Sequence, residues 1–233
     1  MMKQRSSLVI PAYNEARRIG DVLCAYHPVA EEVIVVANGC TDSTAQIVRD
    51  FAEAHGGVRL LLFPERLGKG GAVLEGFKAA SNQLVGFVDS DLSVPPEELR
   101  RLFHVLEEGG FGAVIGSRRM EESRIEVRQP FARQVMSRVF NLLIRALFGL
   151  RFRDTQCGAK VFRKEAVEAV LDSMGSGGYE FDVELLWRLE KAGFTIKEVG
   201  IEWRHSGESK FSLAYGPAMV LRLLLLRLSM GKY

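Results

Sequence analysis

The 233-residue chain contains few cysteines and no long apolar run. Its three cysteines, Cys24, Cys40 and Cys157, are scattered and form no Cys-x-x-Cys pair. This usage argues against a disulfide framework and favours a reducing, cytosolic compartment. No stretch reaches the roughly 20 apolar residues that a transmembrane helix needs. Because the N-terminus runs directly into a predicted strand, we expect no signal peptide.

The net charge of +2 is small, but the charge is unevenly distributed. Residues 118–160 contain ten lysines and arginines against four acidic residues. No aromatic platform or zinc spacing accompanies this basic segment, so we predict no nucleic-acid partner. A phosphate-bearing ligand or a membrane surface fits the charge better. The chain also has no internal repeat or clear linker, and we expect a single domain over residues 1–233.

Short apolar runs alternate with helical patterns through the first half of the chain. Strands are predicted at 7–11, 32–37, 58–63, 84–89 and 113–117, and helices near 15–26, 42–54, 69–81 and 96–107. This alternation predicts an α/β fold with a mostly parallel central sheet and right-handed crossovers. The nearly continuous apolar strand at 33–36 agrees, because parallel strands are buried on both faces.

Two apolar helices are predicted in the second half. Residues 131–148 carry a narrow polar stripe, and residues 215–230 are rich in leucine, interrupted by Arg222 and Arg227. Each is too short and too charged to span a bilayer, and each alone could pack in the core or lie in a membrane interface. Two such helices beside a basic segment favour peripheral attachment to a membrane surface.

Two aspartates, Asp89 and Asp91, follow a predicted buried strand, and a helix begins near Pro95. Carboxylates at this spacing can bind one Mg²⁺ or Mn²⁺ and leave positions open for phosphate oxygens. A bare Asp-x-Asp could instead cap the strand and the helix. The carboxyl edge of an open α/β sheet is where ligands bind, and this position favours the metal interpretation.

Loops after the first two strands carry further candidate residues. Pro11, Tyr13 and Glu15 could contact a nucleotide base, or could form an ordinary turn with a helix cap. Asn38 and Asp42 follow the second strand, where capping of the next helix is an adequate alternative.

A Gly-Lys-Gly-Gly segment occupies residues 68–71 and is too short for a P-loop. It could still bring Lys69 and backbone amides near a diphosphate.

Taken together, these motifs resemble the family 2 glycosyltransferases, which have the GT-A fold, a Rossmann-like fold that binds nucleotide sugars. The family's Pro-x-Tyr-Asn-Glu and Asp-x-Asp motifs lie at 11–15 and 89–91. Later motifs resemble the polyprenyl-phosphate sugar synthases, and they lie at 116–118, 154–162, 179–186 and 207–210. The versions at 154–158 and 181–186 look closest to dolichyl-phosphate β-glucosyltransferases. The resemblance covers about residues 7–213.

The sequence departs from the family pattern at two places. Ala37 and Asn38 stand where the family usually has two aspartates, so a base would meet a neutral amide. Ser93 stands where mannosyl relatives often have glutamine, and serine is a weaker metal ligand.

The resemblance implies inverting, metal-dependent transfer of a hexose, glucose from UDP-glucose, to a polyprenyl or dolichyl monophosphate. The reaction would occur at the cytosolic face of a membrane, with Mg²⁺ or Mn²⁺ on Asp89 and Asp91 neutralising the departing diphosphate. The acceptor phosphate is already ionised near pH 7, so it needs electrostatic positioning rather than a strong general base.

The resemblance also assigns residues to each substrate. The nucleotide sugar would be held by Pro11, Tyr13, Glu15, Asn38, Asp42, Lys69, Asp89, Arg204 and Lys210. The acceptor phosphate would be held by Arg118, Arg133 and Ser137, with Arg118 also counted as catalytic. Asp154, Asp182 and Glu184 could contact sugar hydroxyls or merely form caps and ion pairs.

Three alternatives remain open. One is a GDP-mannose-dependent polyprenyl-phosphate mannosyltransferase. Another is a non-catalytic nucleotide-sugar-binding protein or membrane scaffold, supported by the loss of acidic residues at Ala37 and Asn38 and opposed by the intact Asp89 and Asp91. A third is transfer to a soluble sugar or protein, which would leave the apolar helices as core or interface.

Overall fold

Strands and helices alternate along most of the chain in the computed structural model, which describes residues 4–127, 131–205 and 216–230. The strands are β1 (Gln4–Ala12), β2 (Ala30–Asn38), β3 (Val58–Phe63), β4 (Leu84–Val88), β5 (Ala113–Ser117), β6 (Arg124–Val127), β7 (Ala159–Arg163), β8 (Ile196–Gly200) and β9 (Glu202–Arg204). The helices are α1 (Ile19–Tyr26), α2 (Thr44–Ala54), α3 (Gly68–Ala79), α4 (Pro96–Gly109), α5 (Phe131–Phe148), α6 (Lys164–Leu171), α7 (Phe181–Lys191) and α8 (Gly216–Met230).

The central sheet has the strand order β3-β2-β1-β4-β7-β5-β8. All neighbouring pairs are parallel except those that β7 makes with β4 and β5. This arrangement confirms the prediction of an α/β fold with a mostly parallel sheet. The sequence analysis missed β7, because its apolar run is broken by Lys160. That side chain is fully buried against Asp182 instead of pointing to solvent.

Helices cover both faces of the sheet. Apolar side chains of α1, α2 and α4 pack on one face, and those of α3, α6 and α7 pack on the other. The carboxyl ends of β1, β2 and β4 are adjacent at one edge of the sheet. The loops that carry the predicted functional residues therefore meet there.

The helices α5 and α8 form a separate apolar cluster with α7, which includes Ile144, Val183 and Leu223. On the outer side of this cluster, large apolar side chains are exposed to solvent: Val139, Leu142, Leu221, Leu224, Leu225 and Leu228. Among the described residues, no helix has the length and apolar character needed to cross a membrane.

Candidate active site

The strand ends of the sheet open into a cavity of about 700 Å³, here called the carboxylate cavity. The predicted residues that line it are Pro11, Tyr13, Glu15, Asn38, Lys69, Asp89 and Asp91. They are joined by residues that the sequence analysis did not assign individually to a binding site: Arg18, Arg66, Leu67, Gly68, Ser90, Gly177, Gly178, Tyr179, Glu180 and Arg222. The strand order explains the convergence, since β2, β1 and β4 are consecutive in the sheet.

The two aspartates differ in their environment within this cavity. Asp89 Oδ1 lies 2.6 Å from Lys69 Nζ, and the charges of Asp89 and Asp182 raise the Lys69 pKa although burial alone would lower it. Asp91 accepts a hydrogen bond from the Ser93 amide at 3.0 Å. Burial and the neighbouring Asp89 charge nevertheless raise the Asp91 pKa above its usual value. The pair therefore creates a negative field that a cation would relieve.

Asp89 and Asp91 fit a divalent cation by their chemistry. No three His, Cys, Asp or Glu side chains form a metal-binding group among the residues that the structure describes. Mg²⁺ and Mn²⁺ need only one or two carboxylates, because phosphate oxygens and water complete their coordination. A Cβ atom on Gly158 would lie 2.1 Å from Asp89 Oδ2, so this glycine leaves space for the carboxylate. Burial and the Asp89 charge disfavour ionisation of Asp91 by raising its pKa, and a bound cation would offset that cost.

Two glycines of the Gly-Lys-Gly-Gly segment are required by close contacts, which the sequence alone did not indicate. Gly68 has a φ of +78°, and a Cβ there would lie 2.3 Å from the carbonyl oxygen of Gly177. A Cβ on Gly70 would lie 2.5 Å from Cβ of Phe181. The glycines thus let the loop before α7 lie directly on α3. This contact makes that loop a wall of the carboxylate cavity, next to Lys69.

The opposite end of the cavity lies over β1 and β2. The Arg66 guanidinium is 4.1 Å from the centre of the Tyr13 ring. Asn38 is 3% exposed and donates from Nδ2 to the carbonyl oxygen of Ala12 at 2.9 Å. Its side-chain amide nitrogen is therefore engaged by the sheet edge, whereas its oxygen is the atom suited to meet a base donor.

Two residues predicted to bind the nucleotide sugar lie outside the carboxylate cavity, and a third lies outside the described residues. Asp42 accepts hydrogen bonds from Thr44 N at 3.0 Å and Ala16 N at 3.1 Å, so its carboxylate joins the start of α2 to the first loop. Arg204 pairs with Glu126 and lines a different pocket of about 300 Å³. Lys210 falls outside the described residues.

A second cavity, of about 830 Å³, is here called the arginine cavity. Its basic lining residues are Arg118, Arg119, Arg138, Arg145 and Arg153. The other side chains that line it are Ser123, Ile125, Ser137, Asn141, Leu142 and Trp203. In the sequence, this cavity was indicated by the local excess of basic residues. The motif positions alone gave only Arg118, Arg133 and Ser137.

Arg118 is held in place by a two-point ion pair with Asp154. Its Nε and Nη2 donate to the Asp154 carboxylate at 2.7 and 2.9 Å, and its backbone amide donates at 3.0 Å. Burial alone would raise the Asp154 pKa, but the Arg118 charge and these hydrogen bonds lower it to about 2. This ion pair indicates that Asp154 orients the Arg118 side chain.

The other arginines of this cavity repel one another. Burial and the charges of Arg118, Arg138 and Arg145 lower the pKa of Arg119, against the opposing effect of Asp154. Arg119 Nη2 donates to Ser137 Oγ at 2.5 Å, which places Ser137 beside Arg118 in one cavity. An anion would relieve this repulsion. Arg133 lies on α5, and its side chain is outside the described part of the chain.

The remaining acidic candidates make contacts inside the protein. Asp182 Oδ1 lies 2.5 Å from Lys160 Nζ, and both side chains are buried. Burial raises the Asp182 pKa in spite of this partner. Glu184 accepts hydrogen bonds from the Gly175 and Ser176 amides and pairs with Arg188 at 2.8 Å. Of the two predicted possibilities, the geometry favours pairing and capping.

A family model described as glycosyl transferase family 2 matches residues 7–171. The chain belongs to the family 2 glycosyltransferases. Glycosyltransferase AglD of Haloferax volcanii is 36% identical, over 89% of this chain and 34% of its own, so the chain spans about a third of that relative. The dolichyl-phosphate beta-glucosyltransferase of Dictyostelium discoideum is 29% identical, over 88% of this chain and 68% of its own. The polyprenol monophosphomannose synthase of Mycolicibacterium smegmatis is 32% identical, over 90% of this chain and 82% of its own.

Solved structures of glucosyl-3-phosphoglycerate synthase from Mycobacterium tuberculosis share the fold. One, in complex with Mn²⁺, UDP-glucose and phosphoglyceric acid, has a TM-score of 0.71 at 24% identity, over 97% of this chain and 79% of its own. Another has a TM-score of 0.69 at 27% identity, over 96% of this chain and 80% of its own. These similarities confirm the GT-A fold expected from the sequence.

Proposed function

We propose that this glycosyltransferase transfers glucose from UDP-glucose to a polyprenyl or dolichyl monophosphate, with inversion at the anomeric carbon. The observation that carries the proposal is the adjacency of the two cavities. Arg118 pairs with Asp154 at 2.7 Å, and four residues later the Gly158 carbonyl oxygen accepts a hydrogen bond from the Asp89 amide at 3.0 Å. The short segment 154–158 therefore connects the arginine cavity to the carboxylate cavity.

The carboxylate cavity suits a nucleoside diphosphate sugar. Tyr13 and Asn38 offer a ring face and an amide oxygen to the base, and the Lys69 ammonium is positioned for the diphosphate. Asp89 and Asp91 would hold the divalent cation, which when bound stabilises the negative charge that develops on the leaving diphosphate. The dolichyl-phosphate beta-glucosyltransferases among the relatives support glucose as the sugar.

The arginine cavity suits the acceptor phosphate. Its five arginines and the Ser137 hydroxyl can surround a phosphate monoester, and guanidinium groups bind phosphate oxygens in pairs. Arg118, oriented by Asp154, would direct an acceptor oxygen towards the anomeric carbon. The acceptor attacks as an anion, so none of these residues has to remove a proton. Positioning and charge neutralisation are their contribution.

The outer surface of α5 and α8 supports attachment to a membrane surface, which we propose to be the cytosolic face. On α5, the exposed Leu142 lies at the arginine cavity, because it belongs to the cavity lining and is itself 68% exposed. An apolar surface of this kind can enter the headgroup region while arginines meet the phosphate of the acceptor lipid.

Transfer of mannose from GDP-mannose is the second candidate. It is favoured by the similarity to a polyprenol monophosphomannose synthase and by the neutral Asn38, which does not commit the cavity to one base. A donor screen separates the two possibilities.

The test is incubation of the full chain with polyprenyl phosphate in detergent, Mg²⁺ or Mn²⁺, and one radiolabelled donor at a time. UDP-glucose, UDP-N-acetylglucosamine and GDP-mannose serve as donors, and label is counted after organic extraction. We expect label from UDP-glucose in the lipid phase, lost with EDTA. Label from GDP-mannose alone would support the second candidate. Absence of lipid label from every donor would overturn the proposed acceptor.

A further inference from the structure

Glu180 presents an unsatisfied carboxylate oxygen to the carboxylate cavity. The residue immediately precedes α7, and its side chain forms no cap hydrogen bond there. It is 6% exposed and belongs to the cavity lining. Within the described part of the chain, Oε2 is buried and has no hydrogen-bond partner. A buried carboxylate oxygen without a donor costs free energy, and a ligand donor would recover it.

The two oxygens of the Glu180 carboxylate have different neighbours at the cavity wall. Oε1 is 3.7 Å from Nη1 of Arg222, which reaches the cavity from α8. On the other side stands Gly178, where an added Cβ would lie 2.5 Å from Oε2. The absence of a side chain at residue 178 leaves room for the Glu180 carboxylate itself at the cavity wall. The arginine balances the charge of the carboxylate, and Oε2 is left to accept hydrogen bonds.

Glu180 lies on the β4 side of the carboxylate cavity. The next residue, Phe181, packs its ring 5.5 Å from that of Phe87 on β4, two residues before Asp89. Tyr13 and Asn38 lie towards β1 and β2, at the other end of the cavity. A donor with its base over β1 and β2 and its diphosphate at Lys69 and Asp89 would extend its sugar towards Glu180.

We propose that Glu180 is a specificity-determining residue that accepts a hydrogen bond from a hydroxyl group of the donor hexose. The inference rests on the proposed function in that it takes the ligand to be a nucleotide sugar. It goes further by naming the residue that distinguishes the sugar from the nucleotide that carries it.

The first experiment compares binding of UDP and UDP-glucose, each with Mn²⁺, by titration calorimetry. The proteins are the wild type, Glu180→Ala, Glu180→Gln and the control Glu190→Gln, which changes an exposed glutamate on the same helix. We expect Glu180→Ala to weaken UDP-glucose binding by about 10- to 100-fold, the range for a hydrogen bond to a charged group, and to leave UDP binding unchanged. Glu180→Gln should show a smaller loss, and Glu190→Gln none.

The thermal unfolding midpoint distinguishes recognition from a structural role. Removal of an unsatisfied buried carboxylate should leave the midpoint of Glu180→Gln unchanged or raise it. An equal loss of UDP and UDP-glucose affinity, or unchanged affinity for both in Glu180→Ala, would overturn the proposal.

A second experiment identifies the hydroxyl and separates this inference from the proposed reaction. Deoxy analogues of UDP-glucose are titrated into the wild type and Glu180→Ala. One analogue should bind the wild type about tenfold more weakly than UDP-glucose and show no such penalty in the variant. Equal penalties in both proteins would overturn the role of Glu180. These titrations contain no acceptor, so a failed transfer reaction would overturn only the proposed function.

Discussion

The two cavities at the edge of the sheet differ in how their charges are balanced. Among the described residues, the carboxylate cavity is lined by four acidic and four basic side chains. Within the described ranges, the arginine cavity is lined by five arginines and no acidic residue, and Asp154 forms an ion pair with one of these arginines, Arg118. A balanced site can bind a ligand together with its counterion, whereas a site with excess positive charge needs an anion.

The supporting elements differ as well. The carboxylate cavity is built on the ends of buried strands and on glycines that bring α3 and the loop before α7 into direct contact. The arginine cavity depends on α5, whose outer face is exposed. This contrast predicts that changes in the first cavity affect the reaction itself, and that changes in the second affect affinity for the acceptor.

Loss of a metal carboxylate should give the largest effect. Asp91→Asn is expected to lower kcat by at least about 100-fold, because charge stabilisation in the transition state is lost. Stability should not fall, since burial and Asp89 already oppose the charge of Asp91. Asp21→Asn, at an exposed position of α1, is the control. Full activity of Asp91→Asn would show that the carboxylate cavity is not the catalytic site.

Loss of Asp154 should mainly affect stability. Asp154→Asn leaves the Arg118 charge without its partner, and we expect the free energy of unfolding to fall by about 3 kcal/mol. The lowered pKa of Asp154, about 2, means that its stabilising contribution is complete above about pH 4 and is lost as pH falls towards 2. The difference between wild type and variant in denaturant titrations should therefore shrink over that range. Asp172→Asn, which is exposed, should show no such difference.

A substitution in the arginine cavity should change the KM of only one of the two substrates. Arg138→Gln is expected to raise KM for polyprenyl phosphate by about tenfold and leave KM for UDP-glucose unchanged, because one charged contact to the phosphate is lost. Arg49→Gln, on the exposed side of α2, is the control. An equal rise in both KM values would contradict the division of substrates between the cavities.

The exposed apolar surface should give the smallest effect. Leu225→Glu on α8 is expected to weaken binding to vesicles of phosphatidylcholine and phosphatidylglycerol by about fivefold in flotation assays, since a partly buried leucine contributes about 1 kcal/mol. Leu62→Glu is a matched control, because Leu62 is 50% exposed against 56% for Leu225 and lies on β3. Equal vesicle binding by the two variants would show that α8 does not contact the membrane surface.

The fold was largely predictable, because its first half carries strong local signals. Continuous apolar strands separated by amphipathic helices specify a parallel sheet almost directly. The strand β7 was not predictable in the same way, since Lys160 interrupts its apolar pattern. The Lys160 ammonium is paired with Asp182, 22 residues later, and also donates to the Cys157 carbonyl oxygen. Pairings over such distances leave no local trace in the sequence.

The candidate site was predictable where the residues end strands. Asp89, Asp91, Tyr13 and Asn38 converge because β1, β2 and β4 are neighbours. Glu180 belongs to the motif at 179–186, but its place in the cavity was missed, because that place depends on the packing of α3 against the loop before α7. Asp42 was placed at the donor by its motif, but its carboxylate is engaged by backbone and hydroxyl groups at the start of α2.

The most direct test of the account is a crystal structure of the full chain with Mn²⁺, UDP and a short polyprenyl phosphate, with anomalous data collected for manganese. We expect a manganese peak bound by Asp89 and Asp91, UDP extending towards Tyr13 and Asn38, and the lipid phosphate among the arginines beside Arg118. A manganese peak away from both aspartates, or a lipid phosphate outside the arginine cavity, would contradict it.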